Sequence, residues 1–421
     1  MTVKRTRARM GILAMVFINV VITYMDRSNI SIAANAISKD LKFSTVELGL
    51  IFSAFGWTYT FLQIPGGILA DRVKPSILYA FNLVIWSVAT LLQAFAFRFS
   101  TLFGLRMAIG VFEAPCFPMN NRIVTSWFPT HERASAIAFY TSGQYVGLAV
   151  LTPALVIIQH FYGWQGLFII SGLAGILWGV IWYLFYRDPA DHRRVNQAEL
   201  QYIEDGGGLA LTGAGRTVRE PLTMSQLGQV FQSRKLWGIY LGQFCLGATH
   251  WFFLTWFPTY LVKFRGLDFL SSGYLGSLPF IAAGTGVLIS GFFSDYLVRR
   301  GVAAGYARKL PVILGLCLTS SIIFANYVQD PGWIIFFMAL SFFGNGLASI
   351  AWIFVSLLAQ KNLLGLTGGV FNFMGGLSSI VIPLAIGILA SGGNFQPALV
   401  FVSTLGLIGA ASYIFLVGKI N

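Results

Sequence analysis

Two carboxylates, Asp26 and Glu113, lie deep inside apolar stretches of this sequence, and each has an arginine near it in the chain. Arg27 follows Asp26 directly, and Arg106 precedes Glu113 by two helical turns, on the same helix face. A charged residue at a bilayer centre costs at least ~2.5–3.5 kcal/mol and marks ion pathways, proton relays or binding sites. A carboxylate whose arginine contacts change between conformations can bind and release a proton. A guanidinium can hold an anionic carboxylate by two hydrogen bonds.

A simpler interpretation of these charges is a static buried ion pair that only orients helices. In that case Arg27 is a counter-ion for Asp26 or Glu113. Asp26 and Arg27 point ~100° apart on a helix, so the two side chains cannot both face one partner. Arg27 could also hold Glu113 until a proton releases it for an anion. We expect Arg106 to act as a fixed charge that tunes Glu113. The cysteines and histidines show no metal-ligand spacing, so we expect neither a metal nor a cofactor.

The elements that must position these charges are membrane helices. The chain has 421 residues, 56% hydrophobic and 10% charged, against about 25% charged in soluble domains. Spans of about 20 apolar residues must be helical in lipid, which predicts an all-α membrane protein. Twelve spans are predicted, at Met10–Ala36, Val46–Ala70, Ile77–Phe97, Leu102–Val124, Ala134–His160, Trp164–Tyr186, Trp237–Val262, Ser271–Leu297, Leu310–Tyr327, Trp333–Ala359, Leu364–Ala390 and Pro397–Val417. The first is interpreted as a retained helix rather than a signal peptide.

One long polar segment divides these spans into six and six. We predict an N-terminal six-helix half (1–186), a cytoplasmic linker (187–236) and a C-terminal six-helix half (237–421). If both termini are cytoplasmic, 21 of the 28 Lys and Arg residues lie on that side and five on the other. Basic loops favour the cytoplasm, so the asymmetry predicts this orientation. It also explains the net charge of +13 without a nucleic-acid partner.

A pattern repeated in both halves supports the division. Gly67 precedes Asp71-Arg72 at the end of the second span, and Gly291 precedes Asp295 at the end of the eighth. Glycine permits close helix approach, and a carboxylate can accept hydrogen bonds from a neighbouring helix N-terminus. We therefore predict that these five residues form a conformational clasp at the cytoplasmic ends of the two halves.

Several stretches of the sequence resemble the anion–cation symporter family of the major facilitator superfamily. They include Thr23–Asn29 (TYMDRSN), Phe52–Tyr59 (FSAFGWTY), Gln63–Gly67 (QIPGG), Phe112–Pro115 (FEAP) and Trp127–Phe128–Pro129 with Glu132–Arg133–Ala134. Within that family, Asn120–Trp127 (NNRIVTSW), Phe139–Gln144 (FYTSGQ), Gly365–Phe373 (GLTGGVFNF) and the Gly206–Gly207–Gly208 loop resemble most the bacterial D-galactonate–proton symporters. The resemblance covers essentially the whole chain.

The resemblance implies roles for individual residues. It assigns proton coupling to Asp26 and Glu113 and places family binding-site positions in both halves. The substrate-binding candidates are Arg27, Tyr24, Tyr59, Gln144, Ser349, Trp352 and Asn372. Each polar member has an alternative role as a hydrogen-bonding contact between helices. Buried amides need several partners, which makes Gln144 and Asn372 the stronger candidates.

The function that the resemblance implies is uptake of a sugar-acid anion with protons, D-galactonate first, across the bacterial inner membrane. Importers of hexuronate or of glucarate and galactarate share every sequence feature, so they remain alternatives. A proton-coupled antiporter and a non-transporting membrane sensor are further alternatives. The sequence carries no phosphate loop, H-E-x-x-H motif or nucleophile elbow, so we do not expect an enzyme. We expect a monomer in the lipid bilayer whose partners are an organic anion and protons.

Overall fold

The computed structural model describes residues 5–208, 224–360 and 363–419, and regular structure there is helical. Twelve long helices can be followed in this part of the chain. They are α1 (Ala8–Leu41), α2 (Thr45–Arg72), α3 (Pro75–Phe95), α4 (Phe99–Trp127), α5 (130–162), α6 (164–185), α7 (Arg234–Thr255), α8 (Phe269–Arg299), α9 (Gly305–Asn326), α10 (Pro331–Leu358), α11 (Leu364–Leu389) and α12 (Gln396–Val417).

The number of helices is consistent with the twelve predicted spans. By length and apolar composition, 9 helices of the described residues can cross a membrane. One of these, Thr130–Phe185, contains both α5 and α6, because the backbone turns at Gly163 with a φ of 70°. Helices α2 and α7 have 28 and 22 residues and are long enough to span, but they are less apolar than the others. Polar residues in a spanning helix face the protein interior or a cavity.

The fourth helix of each half is interrupted. In α4 the α-helical hydrogen bonding stops after Glu113 and resumes at Cys116, with Pro115 between them. In α10 the residues Ser349–Trp352 form a 3₁₀ segment. Proline and 3₁₀ turns break the regular ladder of backbone bonds, and in membranes such breaks are tolerated where they are buried or line a cavity. The break in α4 is buried, with Glu113 and Cys116 at most 2% exposed, whereas the break in α10 is buried only in part, since Trp352 is 50% exposed.

The two halves meet along two seams, α2 against α11 and α5 against α8. A Cβ atom added to Gly49 of α2 would lie only 3.2 Å from the Cα of Gly387 in α11. In the second seam, a Cβ on Gly273 of α8 would lie 2.9 Å from the Cβ of Val156 in α5. Small residues let the helix backbones approach this closely, and van der Waals packing holds membrane helices together.

These contacts between halves weaken along the bundle. We call the end that carries the segment after α6 the linker face, and the other end the opposite face. From the opposite face, the α2–α11 seam passes Gly49 and Gly387 and reaches Gln63 and Asn372, which lie on the linker side of mid-bundle. Closer to the linker face the contacts between the halves end: a Cβ on Gly67 of α2 would meet only Pro118 of its own half, and one on Gly291 of α8 would meet nothing within 4 Å. The described conformation is thus closed at the opposite face and open toward the linker face.

The described residues that follow α6, 186–208, are packed onto the N-terminal half. Glu199, in the short helix Gln197–Asp205, is fully buried and accepts hydrogen bonds from the main-chain N–H groups of Ala8 and Arg9 at 3.0 and 3.2 Å. The side chains of Thr6 and Arg9 also donate to it. Helix α1 has no side-chain cap of its own at Arg7. Glu199 therefore caps the N-terminus of α1, where a helix has free N–H groups and a positive dipole end.

Candidate substrate and proton site

Arg27 and Glu113 form a buried ion pair between α1 and α4. The Nε of Arg27 donates to Oε2 of Glu113 across 2.8 Å, and their exposed fractions are 4% and 0%. Glu113 stands at the last α-helical residue before the break in α4. Each partner keeps one unused polar atom, since Nη2 of Arg27 and Oε1 of Glu113 are buried without a hydrogen bond. The arrangement leaves donor capacity on the guanidinium that a second carboxylate could use.

Three aromatic rings surround the guanidinium of Arg27. Its central carbon lies 5.0 Å from the ring centre of Tyr24, 4.9 Å from that of Phe55 and 4.7 Å from that of Tyr59. Cation–π attraction to ring faces offsets part of the cost of burying the charge. The two tyrosines also bring hydroxyl groups to the same place. The sequence-predicted residues Tyr24, Arg27 and Tyr59 thus form one cluster.

Asp26 lies beside this cluster but has different partners. Trp86 of α3 donates from Nε1 to Oδ2 of Asp26 at 2.9 Å, and Asn29 donates from Nδ2 to Oδ1 at 3.3 Å. No cation of the described residues lies within ion-pair distance of this carboxylate. Arg106 instead donates from Nη1 to the main-chain oxygen of Asp26, at 3.4 Å. The two predicted proton sites are therefore unlike: Glu113 faces a guanidinium and Asp26 faces neutral donors.

A cavity of about 150 Å³ opens next to the aromatic cluster. It lies between α2, α4 and α11, and Tyr59, Gln63 and Asn372 are among the residues that line it. Asn372 donates from Nδ2 to Oε1 of Gln63, which joins the two halves at the point where the α2–α11 seam opens. The rest of the lining is mainly apolar, but two hydroxyls and two amides, those of Tyr59, Thr60, Gln63 and Asn372, can exchange hydrogen bonds with a polyhydroxylated chain.

The other predicted substrate residues lie elsewhere. Gln144 on α5 and Ser349 on α10 are half-buried, and Trp352 is 50% exposed and packs on Phe371. None of these three is among the residues that line this cavity. Ser349 and Trp352 do occupy the 3₁₀ break of α10, where residues three apart share a face. In this conformation the structure gathers Tyr24, Arg27, Tyr59 and Asn372 but leaves the other three apart.

The predicted clasp residues are separated in this conformation. Asp71, Arg72, Gly291 and Asp295 are exposed, Gly67 is half-buried, and a Cβ on Gly291 would meet nothing within 4 Å. The end of α2 is held within its own half instead: Arg122 donates from Nη1 to the main-chain oxygens of Ala70 and Val73, the latter at 2.7 Å. The separation agrees with the opening of the bundle toward the linker face.

Sequence reasoning assigned no role to Gln63, Trp86, Asn29 and Phe55, although all four contact a predicted residue. Gln63 could have been found, because an amide one turn after Tyr59 shares its helix face. Asn29 could have been found in the same way, three residues after Asp26. Phe55 lies in the family-like stretch Phe52–Tyr59, which assigned it no role, and nothing in the sequence marks Trp86.

Comparison with known proteins places this architecture in a family. A model described as "Major Facilitator Superfamily" matches residues 16–383. The chain is 52% identical to a D-galactonate transporter of Escherichia coli O6:H1, with 99% of this chain and 97% of the relative covered. It is 40% identical to a probable galactarate/D-glucarate transporter, GudP, of Bacillus subtilis, with 99% and 94% covered.

Among solved structures, the fold is similar to that of a bacterial homologue of the human lysosomal transporter Spinster, crystallised in an inward-facing and occupied conformation. The TM-score is 0.76 at 19% identity, with 98% of this chain and 97% of that chain covered. The nucleoside transporter NupG is also similar, with a TM-score of 0.70 at 14% identity over 96% and 98% of the two chains. The chain is a multi-pass membrane protein that belongs to the major facilitator superfamily.

Proposed function

We propose that this protein is a symporter that imports a sugar-acid anion together with protons, and that D-galactonate is its substrate. The observation that carries the proposal is the buried pair of Arg27 and Glu113 beside a cavity whose mainly apolar lining includes two hydroxyls and two amides. A cation with spare donors suits a carboxylate, and the neutral wall suits a polyhydroxylated tail. The 52% identity to a D-galactonate transporter supports the same substrate.

The proposed mechanism is a competition for Arg27. From the opposite face, taken as the periplasmic side, a proton reaches Glu113 and neutralises it, so that its bond to Arg27 weakens. The carboxylate of the substrate then takes its place on the guanidinium, and Asp26 is protonated in the same half-cycle. The loaded carrier closes and reopens toward the linker face, where substrate and protons leave and the ion pair forms again. Binding at the midplane between two rocking halves is the general scheme of such folds.

The conformation described above is the release end of this cycle. Arg27 and Glu113 are paired and the bundle is open toward the linker face, which we assign to the cytoplasm because most basic residues lie there. The halves 1–186 and 237–421 then move as bodies joined by the linker 187–236. Closure of the linker face would bring Gln144, Ser349 and Trp352 onto the substrate and join the clasp residues. We place the protein in the bacterial inner membrane as a monomer.

A second candidate substrate class is the aldarates, glucarate and galactarate, because relatives at 39–41% identity are named as their transporters. An aldarate carries two carboxylates and calls for a second cation at the far end of the site. The described cavity wall offers only neutral groups there, among them Thr60, Gln63 and Asn372. This favours a monocarboxylate with a neutral tail, and an unpaired carboxylate in the same position would be strongly disfavoured. A hexuronate also has one carboxylate, but it presents a ring in place of the open chain.

The experiment is uptake into proteoliposomes that contain the purified protein. Labelled D-galactonate should accumulate when the outside is made acidic, and unlabelled galactonate should compete better than glucuronate, glucarate or galactarate. Competition by an aldarate at equal strength would overturn the substrate assignment. Efflux of substrate against the imposed proton flow would indicate an antiporter, and binding without accumulation would indicate a sensor.

A further inference from the structure

The side-chain amide of Asn29 uses its nitrogen in hydrogen bonds but not its oxygen. This residue is fully buried one turn beyond Asp26, and its Nδ2 donates to two acceptors: Oδ1 of Asp26 at 3.3 Å and Oγ of Ser171, on α6, at 2.8 Å. The hydroxyl of Ser171 in turn donates to the main-chain oxygen of Leu167 at 2.7 Å. The Oδ1 atom of Asn29 is buried and has no hydrogen-bond donor. A buried acceptor without a partner is uncommon in folded proteins and calls for an explanation.

The hydrogen-bond inventory of Asp26 changes when it binds a proton. The ionised carboxylate only accepts, whereas the protonated acid carries one O–H donor. Trp86 has an indole N–H and can only donate, so Oδ2 remains an acceptor in both forms. The proton therefore belongs on Oδ1, the oxygen that faces Asn29. With the amide of Asn29 oriented as it is, the new O–H group on Oδ1 of Asp26 would face the N–H donor of Asn29. The acid needs an acceptor there, and the unpartnered Oδ1 of Asn29 is one.

We propose that Asn29 is a positioning residue that registers the protonation state of Asp26, an inference that rests on the proposed proton-coupling role of that carboxylate. When a proton from water forms an O–H bond on Oδ1 of Asp26, the amide rotates by half a turn. Its oxygen then accepts from Asp26 and from the hydroxyl of Ser171, which turns away from Leu167. The O–H bond that breaks is one of the hydronium ion that delivers the proton, which leaves as water, and loss of the proton reverses both rotations.

The surroundings restrict the response to side chains. Helices α3 and α6 are closely packed beside Asn29: a Cβ on Gly172 would lie 2.6 Å from the Cβ of Leu91. Interiors packed at this density do not shift backbones without cost. The charged groups near Asp26 are Arg27 on its own helix and Arg106 and Glu113 on α4. In the described part of the chain, α3 reaches this carboxylate with the neutral side chain of Trp86, and α6 reaches Asn29 with the neutral side chain of Ser171. The proton signal thus passes from α1 to α6 through Asn29.

The test compares Asn29→Leu, which keeps the size but removes both amide functions, with Ser31→Ala as a matched control. Ser31 is buried on the same helix, and its hydroxyl bonds only within α1, to the oxygen of Ser28. The pH profile of galactonate exchange is measured on full-length protein in proteoliposomes. A hydrogen bond to a charged carboxylate is stronger than one to the acid, so its loss favours the protonated form of Asp26. Asn29→Leu should therefore move the midpoint of the pH profile to the alkaline side by about one pH unit, or tenfold in proton concentration. Ser31→Ala should leave it in place.

Infrared difference spectra of the purified protein give a second readout that does not need transport. The carboxylic C=O band of Asp26, identified by its absence in Asp26→Asn, should move to higher wavenumber in Asn29→Leu and to a smaller extent in Ser171→Ala. Unchanged midpoints and bands in both variants would overturn the inference. If wild-type protein failed to accumulate galactonate, the proposed function would fail, and the infrared comparison would still decide the role of Asn29. If Asn29→Leu did not fold, Ser171→Ala would carry the test.

Discussion

The Nε atom of Arg27 lies 2.8 Å from Oε2 of Glu113, so the guanidinium of α1 and the carboxylate of α4 are in direct contact. A contact of this kind can be broken by one proton or replaced by one carboxylate, because the guanidinium keeps its charge throughout. Proton and substrate then act on the same bond. This relationship links the two proposed ligands without a relay between distant sites, and it makes the effects of single substitutions predictable.

Substituting Glu113→Gln should uncouple transport from protons. Glutamine keeps the size and can accept a hydrogen bond from Arg27, but it cannot take up or lose a proton. We expect loss of galactonate accumulation driven by an acidic exterior, whereas exchange of internal for external galactonate continues. Proteoliposome uptake and counterflow measure the two activities. Accumulation equal to that of wild type would remove Glu113 from the coupling mechanism. Glu47→Gln, at the start of α2, serves as a control and should leave both activities unchanged.

Substituting Arg27→Lys should weaken substrate binding although the charge is kept. Lysine cannot form the two-pronged contact with a carboxylate or stack among Tyr24, Phe55 and Tyr59 as a planar guanidinium does. Loss of one hydrogen bond to a charged group costs about 1.5–3 kcal/mol, so KM for galactonate should rise by roughly 10- to 100-fold. The exposed Arg300→Lys is the matched control, with no change expected. A KM within twofold of wild type would exclude Arg27 as the anion site.

The amide pair of Gln63 and Asn372 should behave as one unit. Because the two side chains bond across the α2–α11 seam, replacing either by leucine removes the same contact. A double-mutant cycle on KM for galactonate should give a coupling energy of about 0.5–1.5 kcal/mol, the usual net value of one hydrogen bond. Strict additivity of the two single effects would show that the pair does not act together in transport.

Glu199 should stabilise the N-terminal half in a pH-dependent way. Burial by itself would raise the pKa of this carboxyl, but the hydrogen bonds from Thr6, Ala8 and Arg9 outweigh it and hold the pKa below its ordinary value. A carboxyl with a lowered pKa stabilises the fold above its unfolded pKa of about 4.3. That contribution is lost as the pH falls through the lower folded value. Glu199→Gln should therefore lower the melting temperature near neutral pH, and the difference from wild type should shrink under acid conditions.

Thermal unfolding in detergent, followed by tryptophan fluorescence from pH 7 down to the acid limit of solubility, measures this difference. The control is Asp205→Asn, an exposed carboxylate of the same short helix, which should leave the melting temperature within error of wild type. A constant offset between Glu199→Gln and wild type at all pH values would argue that size or packing, rather than ionisation, sets the effect.

The sequence by itself determined the class of fold. Lipid requires spanning segments to be helices of about 20 apolar residues, and such segments are visible in the sequence. Glycines in them mark where helix backbones can pack closely. The placement of Asp26, Arg27 and Glu113 in such spans also identified the charges that call for a function. Gln63 and Asn29 stood within recognisable spacing of those residues, but spacing on one helix does not say which neighbouring helix is reached.

Tertiary structure decided how the charges are paired. From the sequence alone, Arg27 could have faced Asp26, Glu113 or neither. The packing of α1 against α4 places Arg27 in contact with Glu113, and the packing of α1 against α3 places Asp26 in contact with Trp86. The conformation likewise decided that Tyr59 and Asn372 share a cavity while Gln144, Ser349 and Trp352 stand apart from it. Contacts between helices distant in sequence follow from packing geometry, which local pattern does not contain.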